Sequence, residues 1–527
     1  MSTSAAERPA FRLRGGGSSA RASGAVARSA PMLPVLAACL GLSALTLLFP
    51  STPTYDPWAW IMWGREIAHL DLVTEGGPSW KPLPVLFTVP FSFLGADLAP
   101  MLWLWIARAG ALLALVMAFR LGRRLTGTGL TGVVGGVVAT LFLLTTYQFV
   151  RDSMLGNSEA MLAALSLWAF ERHLDGRRDH ALYLGLGAAL LRPEAWPFLG
   201  LYGLWLWFRE PELRVRLALA GMAVPVLWFG PELWGSGEPL RASSRANNLN
   251  PGSAAFADNP GLEVVRRFAE RTVIPLIAAA LLASVLAIRN WLRDRRDAGT
   301  AFLAAAGFAW LALVAVMTEL GYAGNQRYLV VTTAALCVLG GVGAGRIFEG
   351  VQALATRATG SARRGLAATA AASVLAVAAL SPVITDKVDN IDVTLDVLRY
   401  EASLWDTFPG IVEKGGGRDR LLACGNVYSG PFQTQMVAYE MGIHGIDVGA
   451  LGPKPAPGVM FRTKTRPTSP IVPKLTDDRM RLVATSGRWR LVTAPRSDAR
   501  GRACPSAGPD APRVPPRDAT PELRSSR

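Results

Sequence analysis

Histidine and cysteine are both scarce, four of each in 527 residues, and neither falls into the close spacing of a metal site. No metal and no cofactor are therefore expected. A P-loop and a serine nucleophile elbow are also missing, which sets aside nucleotide-driven and serine-hydrolase chemistry. Charge is sparse as well: 18% of residues are charged against 51% hydrophobic, and the mean hydropathy is positive. A soluble domain does not have that balance, so the expected solvent is a bilayer. The net charge of +15 does not point to nucleic acid, because the Arg residues are dispersed between apolar runs and not gathered on one soluble domain.

Apolar runs near the ~20 residues needed to cross a bilayer recur up to residue 382. They begin at Met32 to Phe49 and continue at 98–119, 130–149, 158–170, 181–192, 195–208, 215–230, 271–288, 300–318, 328–345 and 366–382. The expected fold is an all-α polytopic membrane bundle of about eleven spans. With residues 1–30 as a disordered cytoplasmic tail, alternate loops carry the Arg clusters at 120–124, 172–178, 209–216, 289–296 and 346–364 on the cytoplasmic side. That parity requires the stretch from Ala181 to Phe208 to be two short half-crossings that meet at "LRPEAW".

Three segments on the opposite face are too polar to be connectors: 51–97, 230–271 and everything after Ser381. The last reads as a small α/β domain over 383–506, with strand-like runs "RLLAC", "MRLVATS" and "RWRLVTA", followed by a disordered tail from 507. Cys424 and Cys504 both lie in this domain and would pair in an oxidising compartment; two separate thiols are the other arrangement the sequence admits.

Asp56 lies just past the first apolar run, among Tyr55, Trp58, Trp60 and Trp63. A carboxylate at the bilayer edge is a general base for a hydroxyl, and the rings suit sugar faces or lipid. An Asp at a helix start inside an ordinary aromatic belt gives the same pattern. Residues 60–70 and the segment "KPLPVLFTVPFSFLG" are expected to lie along the interface and not to cross it. Charges in or beside apolar runs are costly and point to function: Arg151, Asp152, Glu159, Arg192, Glu194, Glu319 and Arg327. Arg192 precedes a helix-breaking Pro, and its guanidinium suits a phosphate; an ion pair with Glu194 or Asp152 is the structural alternative. Arg327, in "GYAGNQRYLV", is a second phosphate contact or a snorkelling anchor.

With "TYDPWAW" after the first span, a long outer loop, "LRPEAWPFL", "GNQRYLVV" and the late "LLACGNVYSGPFQTQMVAYEMGIH", the chain resembles the GT-C superfamily of integral membrane glycosyltransferases, actinobacterial members in particular. The resemblance implies an inverting hexosyl- or pentosyltransferase, such as a mannosyl- or arabinosyltransferase. It would take its sugar from a polyprenyl phosphate and pass it to a cell-envelope glycan, lipid or protein outside the cytoplasm. Asp56 would be the catalytic base; Arg192 and Arg327 would meet the phosphate, with Glu194, Tyr55, Trp58 and Arg151 around the substrate. Many relatives carry paired acids in this loop, whereas here Pro57 follows Asp56. A flippase for a lipid-linked saccharide is the competing expectation; it calls for repeat symmetry between halves, and no internal repeat is evident in the sequence.

Overall fold

The computed structural model describes residues 31–449 apart from 147, 248, 250 and 380, together with 458–475, 480–494 and 504. The tails expected at 1–30 and 507–527 lie outside the described residues. The helices run α1 (Met32–Thr46), α2 (Tyr55–Ala68), α3 (Pro82–Ser92), α4 (Leu98–Thr126), α5 (Gly129–Leu144), α6 (Phe149–Met154), α7 (Glu159–Leu174), α8 (Arg178–Ala189), α9 (Trp196–Arg209) and α10 (Arg214–Ser236). They continue as α11 (Arg241–Ala246), α12 (Pro260–Glu270), α13 (Ile274–Asp294), α14 (Ala298–Glu319), α15 (Val330–Thr359), α16 (Ala362–Ala379), α17 (Ser381–Asp406), α18 (Phe408–Lys414), α19 (Arg418–Ala423) and α20 (Thr434–Met441).

A helix stands on each of the eleven expected runs, but among the described residues only α4, α10, α13, α14 and α15 are long and apolar enough by themselves to cross a bilayer. The other six, α1, α5, α7, α8, α9 and α16, are 12 to 18 residues long.

Close helix contact sets the centre of the bundle. In α15 the run Gly340 to Gly345 abuts α13 and α5: an added Cβ at Gly343 would sit 2.0 Å from the Ala279 carbonyl oxygen, and one at Gly341 2.2 Å from that of Gly135. Small residues let backbones approach where lipid gives no hydrophobic drive for association. The break expected at "LRPEAW" is present. Arg192 is extended, at φ −148° and ψ 130°, as the residue before Pro must be, and a 3₁₀ turn at Pro193–Ala195 restarts the chain into α9.

The C-terminal domain holds a mixed sheet of β1 (Asn426–Ser429), β2 (Val448–Gly449), β3 (Gly458–Lys464), β4 (Ile471–Val472), β5 (Arg481–Ser486) and β6 (Trp489–Ala494). Its order is β2-β1-β3-β6-β5, parallel through the first three and antiparallel beyond, with β4 beside β3. Two of the expected strands are β5 and β6. "RLLAC" is instead α19, which shows that a short apolar run does not by itself tell strand from helix. Cys424 and Cys504 are joined by a disulfide.

This domain docks on α2, which is not among the helices long and apolar enough to cross a bilayer. Trp60, Ile61, Met62 and Trp63 are fully buried, covered by α3 and α20 and not laid on lipid. Arg65 donates to the carbonyls of Tyr439 and Ile443 at 2.9 and 3.2 Å, and Gln435 donates to that of Gly76 at 3.1 Å. The Tyr439 hydroxyl donates to the Ala96 carbonyl at 2.7 Å. The segment after α10 joins the same face: Arg241 pairs with the fully buried Glu232 at 2.7 Å, and Thr74 donates to that carboxylate at 2.8 Å. The three polar segments thus gather at one end of the bundle.

Gly64 lets α3 lie against α2, since an added Cβ would stand 2.5 Å from Thr88 Oγ1 and 2.6 Å from its carbonyl carbon. Gly64→Val is expected to lower stability by roughly 1–3 kcal/mol through overpacking, read as a reduced Tm of the detergent-purified chain. An unchanged Tm would contradict that contact.

Candidate functional site

Four distant segments bring their charges to the end of the bundle that the C-terminal domain covers. Glu159 is the first residue of α7, and its Oε1 accepts from Arg192 at 2.5 Å. The same oxygen lies 3.9 Å from the Lys81 ammonium and 3.9 Å from Arg327 Nε. Lys81 comes from the loop ahead of α3, donates to Ser158 Oγ at 3.1 Å and stands over the Trp60 ring at 4.8 Å. Arg192 is delivered by the helix break and lies 4.5 Å over the Tyr328 ring. Arg327 is placed by the 3₁₀ turn Gln326–Leu329 before α15, where Asn325 Oδ1 accepts its backbone N–H at 3.2 Å.

Arg327 also joins the cluster to the candidate base, donating to Asp56 Oδ2 at 2.9 Å. Asp56 sits in the first turn of α2, which is anchored by the Thr54 N–H to the Leu155 carbonyl at 3.0 Å, and is 9% exposed. Glu194 closes the group, 3.9 Å from Arg192 and accepting from the Tyr322 hydroxyl at 3.3 Å. Not every buried polar atom is used: Nε of Arg192 and of Arg327, and Oε2 of Glu159 and of Glu194, have no hydrogen-bond partner. Two donors and two acceptors are thus left for the oxygens and hydroxyls of a ligand.

A cavity of about 110 Å³ opens beside Glu159 and Arg327. Asp152, Asn325 and Gln326 make its polar wall; Leu143, Phe149, Phe268 and Val330 make an apolar one. Burial, followed by the negative charge of Glu159, pushes the Asp152 carboxyl up to about 7. Burial and then the charge of Arg192 bring the Lys81 ammonium down to about 7, against the opposing pull of Glu159 and Asp56. Of the two, Asp152 lines the cavity.

Of the residues expected from sequence, the structure unites Asp56, Arg192, Glu194 and Arg327. Of the two ion-pair partners the sequence allowed for Arg192, Glu194 lies 3.9 Å away, whereas Asp152 pairs with Arg151; the shortest contact, at 2.5 Å, is with Glu159 at the start of α7. Arg151 pairs with Asp152 at 3.2 Å and with Glu401 of α17 at 2.7 Å, so it ties the rim of the site to the C-terminal domain. Tyr55 hydrogen-bonds the Gly76 carbonyl at 3.4 Å. Trp58 is not in the group: it is buried, edge-on to Trp405 at 5.1 Å and beside Tyr439 at 5.3 Å. Glu319 lies elsewhere, accepting from the Gly261 N–H at 2.8 Å. Sequence reading missed Lys81, whose one signal was an isolated cation in the apolar, Pro-rich "SWKPLPVLF". Among the described residues no group of three or more His, Cys, Asp or Glu is placed to hold a metal ion.

Neither a protein-family model nor a curated protein sequence matches the chain. In fold the chain is similar to ArnT from Cupriavidus metallidurans bound to undecaprenyl phosphate, with a TM-score of 0.52 and 13% identity over 89% of this chain and 99% of that one. The apo state of the same protein aligns with a TM-score of 0.46 and 14% identity over 88% and 97%. The likeness to the first is a likeness of fold.

Glu159 is the counter-charge for the buried Lys81 and Arg192 and the half-buried Arg327, and removing it leaves them to repel one another. Glu159→Gln is expected to destabilise the chain by roughly 3–5 kcal/mol, measured by thermal unfolding in detergent, with partial recovery on adding a phosphodiester anion. An unshifted Tm would mean that the three cations are solvated rather than held by Glu159.

Proposed function

We propose that this chain is a membrane glycosyltransferase that moves a sugar from a polyprenyl-phosphate donor to a hydroxyl of a cell-envelope glycan, glycolipid or protein. The observation that carries the reading is Arg327, which touches Asp56 on one side and reaches toward Glu159, Lys81 and Arg192 on the other. A base and a group of phosphate-type cations thereby meet at one point. The fold agrees with this reading, and the solved structure it resembles binds undecaprenyl phosphate.

In the proposed reaction the donor phosphate takes up Nε–H donors of Arg192 and Arg327 together with the Lys81 ammonium. Guanidinium forks suit such oxygens. Sugar hydroxyls donate to the unused carboxylate oxygens of Glu159 and Glu194, and the isoprenoid follows the apolar wall of the cavity. Asp56 takes the proton of the acceptor hydroxyl, whose oxygen forms a bond to the anomeric carbon from the side opposite the phosphate. The bond from that carbon to the phosphate oxygen breaks, and its electron pair leaves as polyprenyl phosphate, stabilised by the three cations. The sugar inverts at the anomeric carbon. No metal is needed in this scheme, because the cations already neutralise the leaving group.

The reading further assigns the site to the extracytoplasmic face, with the N-terminus in the cytoplasm, the basic loops inside and eleven crossings including the half-crossings α8 and α9. Arg120 with Glu171 at 2.8 Å and Arg124 with Asp175 at 2.5 Å mark the opposite, basic end of the bundle, in agreement with positive-inside orientation.

Asp56→Asn is expected to reduce transfer from radiolabelled polyprenyl-phosphate sugars by about 10²–10⁴-fold while leaving donor binding intact. If the wild-type chain transfers from no donor but moves lipid-linked saccharide across liposomes, it is a transporter instead. Donor affinity should also depend on pH. A phosphodiester does not titrate near neutrality, whereas above about pH 7 Lys81 loses its positive charge and Asp152 gains a negative one. Affinity is expected to fall by about tenfold or more per unit above that point, and less steeply in Lys81→Arg. A flat profile in the wild-type chain would remove Lys81 from the phosphate site.

A further inference from the structure

We propose that the C-terminal domain carries a second ligand site, a cationic cleft that binds an acceptor saccharide bearing carboxylate or phosphate groups. The cleft has a volume of about 360 Å³ and lies between α17 and the β3 to β6 part of the sheet. That volume falls within the range of small-molecule sites, about 300–1,000 Å³. Four cations line it, Arg462, Lys464, Arg488 and Arg490, and among the described residues no Asp or Glu does.

Arg462 and Arg490 have further interactions of their own, so the charge on offer is that of Arg488 and Lys464. Arg488 donates Nε to Ser403 Oγ at 2.6 Å, and its guanidinium lies 4.1 Å over the Tyr400 ring. The Tyr400 hydroxyl in turn donates to the Lys464 carbonyl at 3.0 Å, and Lys464 Nζ reaches only the Pro467 carbonyl, at 3.3 Å. Hydroxyl, ring and carbonyl hold both side chains without cancelling their charge. A guanidinium fixed on a ring in this way has lost little further freedom when an oxyanion binds it. The aromatic side chains are not the sugar platform: Trp489 is fully buried and Tyr400 lies under Arg488, so recognition here is by charge.

Position supplies the rest. Tyr400 faces the cleft, and the next residue, Glu401, pairs with Arg151 beside Asp152 at the rim of the proposed reaction site. Helix α17 thus stands between the cleft and the Arg151–Asp152 rim of that site, and a helix is on the order of 10 Å thick. An extended saccharide held by its anionic groups in the cleft can present a hydroxyl beyond α17. This identification of the ligand as an acceptor rests on the transferase reading; the anion site does not.

The test uses the full chain in nanodiscs of zwitterionic lipid and fluorescence polarisation of a labelled oligogalacturonate, with a neutral maltooligosaccharide of equal length as control. The uronate is expected to bind with an affinity that falls as salt is raised, and Arg488→Gln with Lys464→Gln should weaken it about tenfold or more. Thermal unfolding checks that the double variant is folded; should it not be, the exposed Lys464→Gln alone is compared with wild type. Equal binding of the neutral oligomer, or unchanged binding in the folded variant, overturns the proposal. So does displacement by inorganic phosphate as effective as that by unlabelled uronate, or loss of binding when phosphatidylglycerol is added to the nanodisc; these assign the cleft to a free ion or to lipid. Uronate binding in a chain that transfers from no donor keeps the cleft and removes the transferase reading. Transfer to a neutral acceptor with no uronate binding does the reverse.

Discussion

One carboxylate organises the membrane end of this molecule. Lys81, Arg192 and Arg327 all converge on Glu159 Oε1, from an outer loop, a helix break and a turn ahead of α15. At an effective dielectric of about 20, two like charges 4 Å apart repel by roughly 4 kcal/mol, and each buried ion carries several kcal/mol of lost hydration besides. Such a group persists only if its members neutralise one another. The positions of α3, α7, the α8–α9 break and α15 are therefore coupled, and a shift in any of them would expose a charge to a poor solvent. Asp56 joins the set through Arg327, so the orientation of the candidate base depends on the same carboxylate.

The C-terminal domain is the second constraint. Its helix α20 and the Trp405 ring cover α2, which carries Asp56 in its first turn, and Glu401 reaches Arg151 at the rim. The helix is thereby covered by the C-terminal domain on one side and by α3 on the other. Thr88 clamps it from the α3 side, donating to the Trp60 carbonyl at 2.7 Å. The fixed helix gives the carboxylate a defined position, as proton transfer to a small reacting group requires.

Lipid and protein divide the remaining work. Glycines in α15 let the central helices touch backbone to backbone, while α8 and α9 stop at Pro193 and deliver a cation. Leu143, Phe149, Phe268 and Val330 make an apolar wall to the cavity next to the charges.

By itself the sequence determined the membrane setting, the helix on each apolar run, the break at Arg192 and the polar end of the bundle, and it singled out Asp56 as a candidate base and Arg192, Glu194 and Arg327 among the costly charges. These follow from local chemistry: apolar length, the conformational effect of Pro and the penalty on isolated ions can all be read along the chain. Only the tertiary structure decided who pairs with whom. Glu159 became the hub because α7 begins beneath the break, Lys81 entered because α3 folds back over Trp60, and Trp58 was withdrawn from the site because a domain more than three hundred residues later packs on it. The strand reading of "RLLAC" failed for a similar reason, since a short apolar run takes its conformation from the surface it is packed against. Contacts between residues 56 and 327, or 81 and 159, have no periodicity and no local signal. They exist because buried charges must find one another, and which ones meet is fixed by the packing of the helices that carry them.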